Sequence, residues 1–124
     1  MSQPSPSQDK FVIYHNPRCS KSRQTLALLQ EHGVEPEQVL YLENPPDAKT
    51  LKGLLKALGI SARELLRKGE PEYKTFGLND KSLSEGQLVD AIAAYPRLME
   101  RPIVVKGDRA VLGRPPENVL SLLS

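Results

Sequence analysis

The sequence predicts an α/β fold: a four-stranded mixed sheet with flanking helices and a helical insertion after the first βαβ unit. Three observations predict it. An apolar run at 11–14 passes through a helical pattern into a second apolar run at 38–42, which reads as strand, helix, strand. A connection of that length joins parallel strands by a right-handed crossover. Near the other end, short β-type runs at 103–105 and 110–112 flank Lys-Gly-Asp-Arg, a hairpin signal that adds an antiparallel pair.

Each element has a local cause. The first strand, Phe-Val-Ile-Tyr, is rich in β-branched and aromatic residues. Asn16 and Pro17 break it, because proline lacks a backbone donor and fixes its own φ. A helix opens at Ser20 or Lys21, carries Leu26, Leu28 and Leu29, and stops at Gly33. Residues 38–42 read as a buried strand. Asn44-Pro45-Pro46-Asp47 is a stop followed by a helix start, and 48–58 puts Leu51, Leu54, Leu55 and Leu58 on one face before Gly59. Ser61 with Glu64 is a capping box that opens a short helix running to about Lys68 and closed by Gly69. Residues 70–81 show no period and are expected to be irregular. Ser84 with Gln87 is a second capping box, for a helix carrying Leu88, Val89, Ile92 and Tyr95 and ended by Pro96. After the hairpin, Gly113-Arg114-Pro115-Pro116 leads into a last helix with Val119, Leu120 and Leu123. The order is β-α-β, three helices, β-β-α. That is the arrangement of a thioredoxin-like fold, with the middle helices as the insertion.

The 124 residues suit one domain, expected over 11–124, behind a Ser-, Pro- and Gln-rich leader at 1–10 that reads as disordered and not as a signal peptide. Charged residues at 26% and hydrophobic ones at 39% fit a soluble globular chain. A net charge of +2 gives no reason to expect nucleic acid or a membrane surface as partner. No apolar run reaches the roughly 18 residues of a membrane span. A single cysteine makes no internal disulfide, which points to a reducing cytoplasm.

That cysteine, Cys19, falls where the first strand hands over to the first helix. Several backbone N–H groups there lack intrahelical partners and the macrodipole is positive. A thiolate is stabilised in such a place, and so is an oxyanion. A lone cysteine is more often a small buried hydrophobe, but the flanking His15, Arg18 and Arg23 favour the reactive reading. Spacing removes three other chemistries. A phosphatase loop needs arginine six positions after the cysteine, where Thr25 stands. A dithiol motif needs a second cysteine at Ser22. A zinc site needs more ligands than Cys19, His15 and His32, so no metal is expected. What is left is a monothiol site, whose covalent product must be removed by an outside thiol.

Ser22, one turn on, can donate to the sulfur or be an ordinary first-turn polar residue. His15 can lower the thiol's pKa as an imidazolium, accept its proton, or simply pack against the sheet. Arg67, Arg101 and Arg114 are each either solvated surface or matched to a tetrahedral oxyanion. Arg101-Pro102 is the sharpest of these, entering a strand where thioredoxin-like folds carry a cis-proline beside the active site.

Five stretches, Tyr-His-Asn-Pro-Arg-Cys-Ser-Lys-Ser-Arg (14–23), Tyr-Leu-Glu-Asn-Pro-Pro (41–46), Glu-Leu-Leu-Arg-Lys (64–68), Glu-Arg-Pro-Ile-Val-Val (100–105) and Gly-Arg-Pro-Pro-Glu (113–117), occur in this order and spacing. On them the chain resembles the ArsC family, the glutaredoxin-coupled arsenate reductases of thioredoxin-like fold, over nearly all of 11–123. The resemblance is greatest to a short, uncharacterised branch, with Ser20-Lys21 where resistance enzymes tend to carry Gly-Thr. It implies a catalytic set of Cys19 as nucleophile, His15 as activating histidine and Ser22 as support for the thiol. It also implies that Arg67, Arg101 and Arg114 bind arsenate. Glutathione is then the co-substrate, glutaredoxin the partner, and no cofactor is tightly bound. Two alternatives stay open: a regulatory thiol protein resembling the Spx relatives, against which Ser22 counts because those carry Cys-x-x-Cys, and a monothiol oxidoreductase acting on glutathione mixed disulfides.

Overall fold

The computed structural model describes residues 10–123. The expected leader therefore lies outside the described residues, Lys10 excepted. Two compact units are seen: one takes in the chain up to Tyr41 and again from Arg101 onward, and the other is Leu42–Glu100.

The first unit is built on a four-stranded sheet of order β2-β1-β3-β4, from β1 (Phe11–His15), β2 (Glu37–Leu40), β3 (Ile103–Lys106) and β4 (Arg109–Leu112). β2 runs parallel to β1, with His15 opposite Leu40. β3 is antiparallel to both β1 and β4. The mixed sheet is thus the predicted one. Helix α1 (Ser20–Glu31) joins β1 to β2. It ends in a Schellman arrangement: the Val34 N–H reaches the Leu29 carbonyl at 2.9 Å while Gly33 takes φ +79°, a conformation open to glycine at no steric cost.

Ile13, Leu29, Val104, Val119 and Leu122 form the centre of this unit's core, with Phe11, Leu26, Leu28, Val34, Val111 and Leu123 packed around them. The C-terminal element, Pro116–Leu122, is a 3-10 helix. The sequence reads it as a helix carrying Val119, Leu120 and Leu123; Val119 is buried and Leu123 packs against the core. Three residues per turn put Pro116 and Leu122 on the same side as Val119, whereas Leu120 is 39% exposed. β2 also departs from expectation. It is an edge strand, its first two residues are exposed, and it ends at Leu40.

The second unit is helical: α2 (Ala48–Leu58), α3 (Ala62–Leu65), α4 (Pro71–Thr75), α5 (Glu85–Ala94) and a 3-10 turn at Pro96–Leu98. The Asp47 carboxylate caps α2 by accepting from the Thr50 N–H at 2.8 Å, and Gly59 closes it at φ +71°. Both capping boxes are formed, Ser61 with Glu64 and Ser84 with Gln87. α2, α3 and the 3-10 turn contact α5, with Leu51, Leu65, Val89, Leu98 and Met99 fully buried. Two expectations fail here. The short helix stops at Leu65, not near Lys68, because Leu66 forms a β-bridge with Met99 and the Arg67 N–H reaches the Leu98 carbonyl at 2.7 Å. The stretch expected to be irregular contains α4, which opens with Pro71 at its first position, where the missing N–H costs nothing.

Candidate active site

Alternation along β1 sets one half of the site. Ile13 and His15 are its two buried residues, two apart and so on one face of the strand. The strand extends through His15, one residue beyond the apolar run, because His15 is paired opposite Leu40. Helical spacing sets the other half. The buried face of α1 is Ser22, Thr25 and Leu29, polar at the end nearest Cys19 and apolar further on.

Cys19 is the N-cap residue of α1, with extended backbone. Its N–H is held by the Asn16 carbonyl at 2.9 Å, and its own carbonyl accepts from the Arg23 N–H at 3.0 Å. The Asn16 side chain accepts from the Arg18 N–H at 3.0 Å, which folds the connection into an Asx turn. Arg23 Nη1 donates to the Pro17 carbonyl at 2.9 Å. Cys19 is 8% exposed. No side-chain capping bond closes at this helix end. Burial pushes the thiol up, but the Ser22 amide, the Arg101 guanidinium and the Lys21 amide pull it down further, and the balance lies below the ordinary thiol value. The thiolate is the form that acts as nucleophile.

His15 Nδ1 lies 2.7 Å from Ser22 Oγ, both buried, and the same oxygen accepts from the Asn16 N–H at 3.0 Å. Burial and then the Arg23 charge hold His15 below the ordinary histidine value, which favours neutral imidazole. The Ser22 hydroxyl, which the sequence offers as a support for the sulfur, has His15 Nδ1 and the Asn16 N–H as hydrogen-bond partners. The Ser22 backbone amide faces the sulfur.

Arg101 and Arg114 belong to the same unit as Cys19. Arg114 Nη1 donates to the Arg101 carbonyl at 3.3 Å. The Arg101-Pro102 and Arg114-Pro115 peptides are both cis. Gly113, between β4 and Arg114, donates its N–H to the Pro102 carbonyl at 2.9 Å. Thr25 Oγ1 reaches the Gly113 carbonyl at 3.2 Å. The Cys19 unit therefore brings together Cys19, His15, Ser22, Arg101 and Arg114. Arg67 belongs to the helical unit, where Nη1 is 3.2 Å from Glu70 and Nε is 3.7 Å from Glu100. Thr25, Gly113 and Asn16 are the residues that sequence reading passes over. The available signal was a polar residue at 22 followed by another at 25, one turn apart on one helix face.

Among the described residues no group of His, Cys, Asp and Glu could hold a metal ion, and no helix is long and apolar enough to cross a membrane.

The chain is similar to known proteins along nearly its whole described length. It is 62% identical over 112 residues to the uncharacterized protein YfgD of Escherichia coli K12, covering 90% of this chain and 94% of that protein. It is 46% identical to the arsenate reductase of Haemophilus influenzae, covering 90% of this chain and 97% of that one. The solved arsenate reductase from Vibrio cholerae superposes with a TM-score of 0.89 at 48% identity, covering 91% and 97% of the two chains. Together with this match the four-stranded mixed sheet and its helices are a thioredoxin-like fold. The family model described as "ArsC family" matches residues 14–122, and the chain belongs to that family.

Proposed function

We propose that the protein reduces arsenate to arsenite, with Cys19 as nucleophile, glutathione as co-substrate and glutaredoxin as the partner that resets it. The observation that carries this is the environment of Cys19: a helix-end sulfur drawn below the ordinary thiol pKa by the Ser22 and Lys21 amides and by Arg101. The arsenate reductases of Haemophilus influenzae and Vibrio cholerae, similar along most of their length, support arsenate as the substrate.

In the first step the Cys19 sulfur attacks arsenic(V) and one arsenate oxygen leaves as water, taking up the proton the thiol gave up. Arg101 and Arg114 offset charge on the remaining oxygens. Arg67 has the same role in this reading, on the resemblance alone. The second step takes in glutathione. A sulfur–sulfur bond forms between it and Cys19 as the sulfur–arsenic bond breaks, so each sulfur gives up one electron and arsenic gains two. Arsenite leaves with the proton of the glutathione thiol. The mixed disulfide has no neighbouring cysteine to resolve it, since Cys19 stands alone in the sequence. A glutaredoxin thiol attacks the glutathione sulfur and frees Cys19.

The test is arsenite formation by purified protein supplied with arsenate, glutathione and glutaredoxin, beside Cys19→Ser. Turnover is expected to need the cysteine and all three additions. If the parent and Cys19→Ser form arsenite at the same rate, or the parent forms none, the proposal is wrong. Turnover on a glutathione mixed disulfide without arsenite formation would assign the thiol to that substrate instead.

A further inference from the structure

Thr25 stands six positions after Cys19, where a phosphatase loop would place its own arginine. It is fully buried and lies on the same helix face as Ser22 and Leu29. Its hydroxyl is 2.8 Å from the Lys21 carbonyl and 3.2 Å from the Gly113 carbonyl. One hydroxyl has one proton, so the two acceptors share it. The Lys21 contact is the ordinary back-bond of a helical threonine. The Gly113 contact joins residues 88 positions apart and needs another explanation.

Gly113 is where the segments that carry Arg101 and Arg114 meet. Its N–H is on the Pro102 carbonyl at 2.9 Å, and Pro102 follows Arg101. Arg114 follows Gly113 and donates to the Arg101 carbonyl at 3.3 Å. The fit admits no side chain: a Cβ on Gly113 would come within 2.6 Å of Thr25 Oγ1 and 2.9 Å of Pro102 Cγ. One helix residue thus touches the glycine that precedes Arg114 and is bonded to the proline that follows Arg101.

We infer that Thr25 is a positioning residue, whose hydroxyl acts through Gly113 to set Arg101 and Arg114 against the end of α1 that carries Cys19. This rests on the reading of Cys19 as a thiolate served by Arg101, and it does not require arsenate. The helix that offers the thiolate carries no arginine at the phosphatase position. It carries instead the hydroxyl that fixes arginines borne on another segment.

The test is the pH dependence of Cys19 alkylation by iodoacetamide, without arsenate, in the parent, Thr25→Val, Thr25→Ser, Arg101→Ala and the Thr25→Val/Arg101→Ala pair. Cys19 is the only cysteine, so the alkylation reports it alone. The charged and titratable groups on the elements around it are His15 of β1, Arg18 of the connection, Lys21 and Arg23 of α1, and Arg101 and Arg114 of the two segments that meet at Gly113. Thr25→Val keeps the volume and removes the hydroxyl. It is expected to move the midpoint upward and to slow alkylation at neutral pH by about twofold or more. Thr25→Ser should restore the parent profile. In the Arg101→Ala background Thr25→Val should add nothing, since its effect passes through Arg101. A midpoint equal to the parent's overturns the proposal. So does an equal effect in both backgrounds, which would place the action of Thr25 on the helix amides. Thr25→Ala gives the same comparison should Thr25→Val not fold. A parent that forms no arsenite would refute the proposed reaction and leave this result standing, and an unchanged midpoint would do the reverse.

Discussion

His15 Nδ1 and Ser22 Oγ lie 2.7 Å apart, both buried, and the Ser22 oxygen also accepts the Asn16 N–H at 3.0 Å. The serine thus ties the end of β1 to the first turn of α1 on either side of the loop that carries Cys19. Ser22→Ala leaves a buried ring nitrogen and a half-buried amide without this oxygen. We expect a loss of roughly 1–3 kcal/mol in denaturant unfolding. The Cys19 alkylation midpoint should move little, because the Ser22 amide that faces the sulfur is retained. A large rise of that midpoint with no loss of stability would show that the hydroxyl serves the sulfur directly.

His15 also has a pH signature. Its folded pKa is depressed by burial and then by Arg23, so the unfolded chain binds the proton more readily. The contribution to stability is fully present above the ordinary histidine range and is lost as pH falls through it towards the lower folded value. Unfolding free energy measured across that window should fall with acidification more steeply in the parent than in His15→Asn. Parallel curves would mean that the folded imidazole protonates as freely as the unfolded one.

Arg101 and Arg114 should separate in one titration. The Arg101 guanidinium is among the groups that lower the Cys19 pKa, whereas Arg114 is held on the Arg101 carbonyl. Arg101→Ala is expected to raise the alkylation midpoint and to weaken protection of Cys19 by arsenate. Arg114→Ala should leave the midpoint close to the parent's while weakening arsenate protection by about tenfold. Equal midpoint shifts in the two variants would contradict the difference in their placement.

Local chemistry made much of this fold readable. Gly33 and Gly59 stop helices because a left-handed residue closes each, at φ +79° and +71°. Ser61 with Glu64 and Ser84 with Gln87 announce helix starts by reciprocal bonds over three residues. The position of Cys19, between an apolar run and a helical pattern, follows from the same short-range signals. What depended on distant partners was not readable. α3 ends early because Leu66 pairs with Met99. α4 has five residues, too few to display a period. The leucines at 120 and 123 fit an α period, but the chain took a tighter turn and buried 119 and 122. In the site, the role of Gly113 depends on Thr25 and Pro102, brought to it from elsewhere in the chain.

Within the helical unit, the Glu70 carboxylate lies between two guanidinium groups, 3.2 Å from Arg67 Nη1 and 3.1 Å from Arg97 Nη2. Its side chain is 15% exposed, against 27% for Arg67 and 59% for Arg97. Glu70→Gln keeps the shape and removes the charge. Because the arginines are partly solvated, the cost should fall short of that of a fully buried pair, at about 1–2 kcal/mol in unfolding free energy. It should shrink in high salt to the extent that solvent reaches the pair. A salt-independent loss would assign the effect to packing.

Gly113 supplies the sharpest structural prediction, because its neighbours are so close. A methyl group there would meet Thr25 Oγ1 at 2.6 Å, and both Thr25 Cγ2 and Pro102 Cγ at 2.9 Å. None of these is the free end of a long side chain. The threonine is fully buried and the proline ring is fixed to its own backbone. Gly113→Ala should therefore lower unfolding free energy by about 1–3 kcal/mol through overpacking. It should also raise the Cys19 alkylation midpoint, since Arg101 departs from the displaced segment. Thr25→Ala removes two of the three clashes, so adding it to Gly113→Ala should recover part of the stability but not the low midpoint, which needs the threonine hydroxyl. Recovery of both would show that the small residue at 113 serves packing alone. A Gly113→Ala variant as stable as the parent would mean that the contact between α1 and this segment is looser than the distances require.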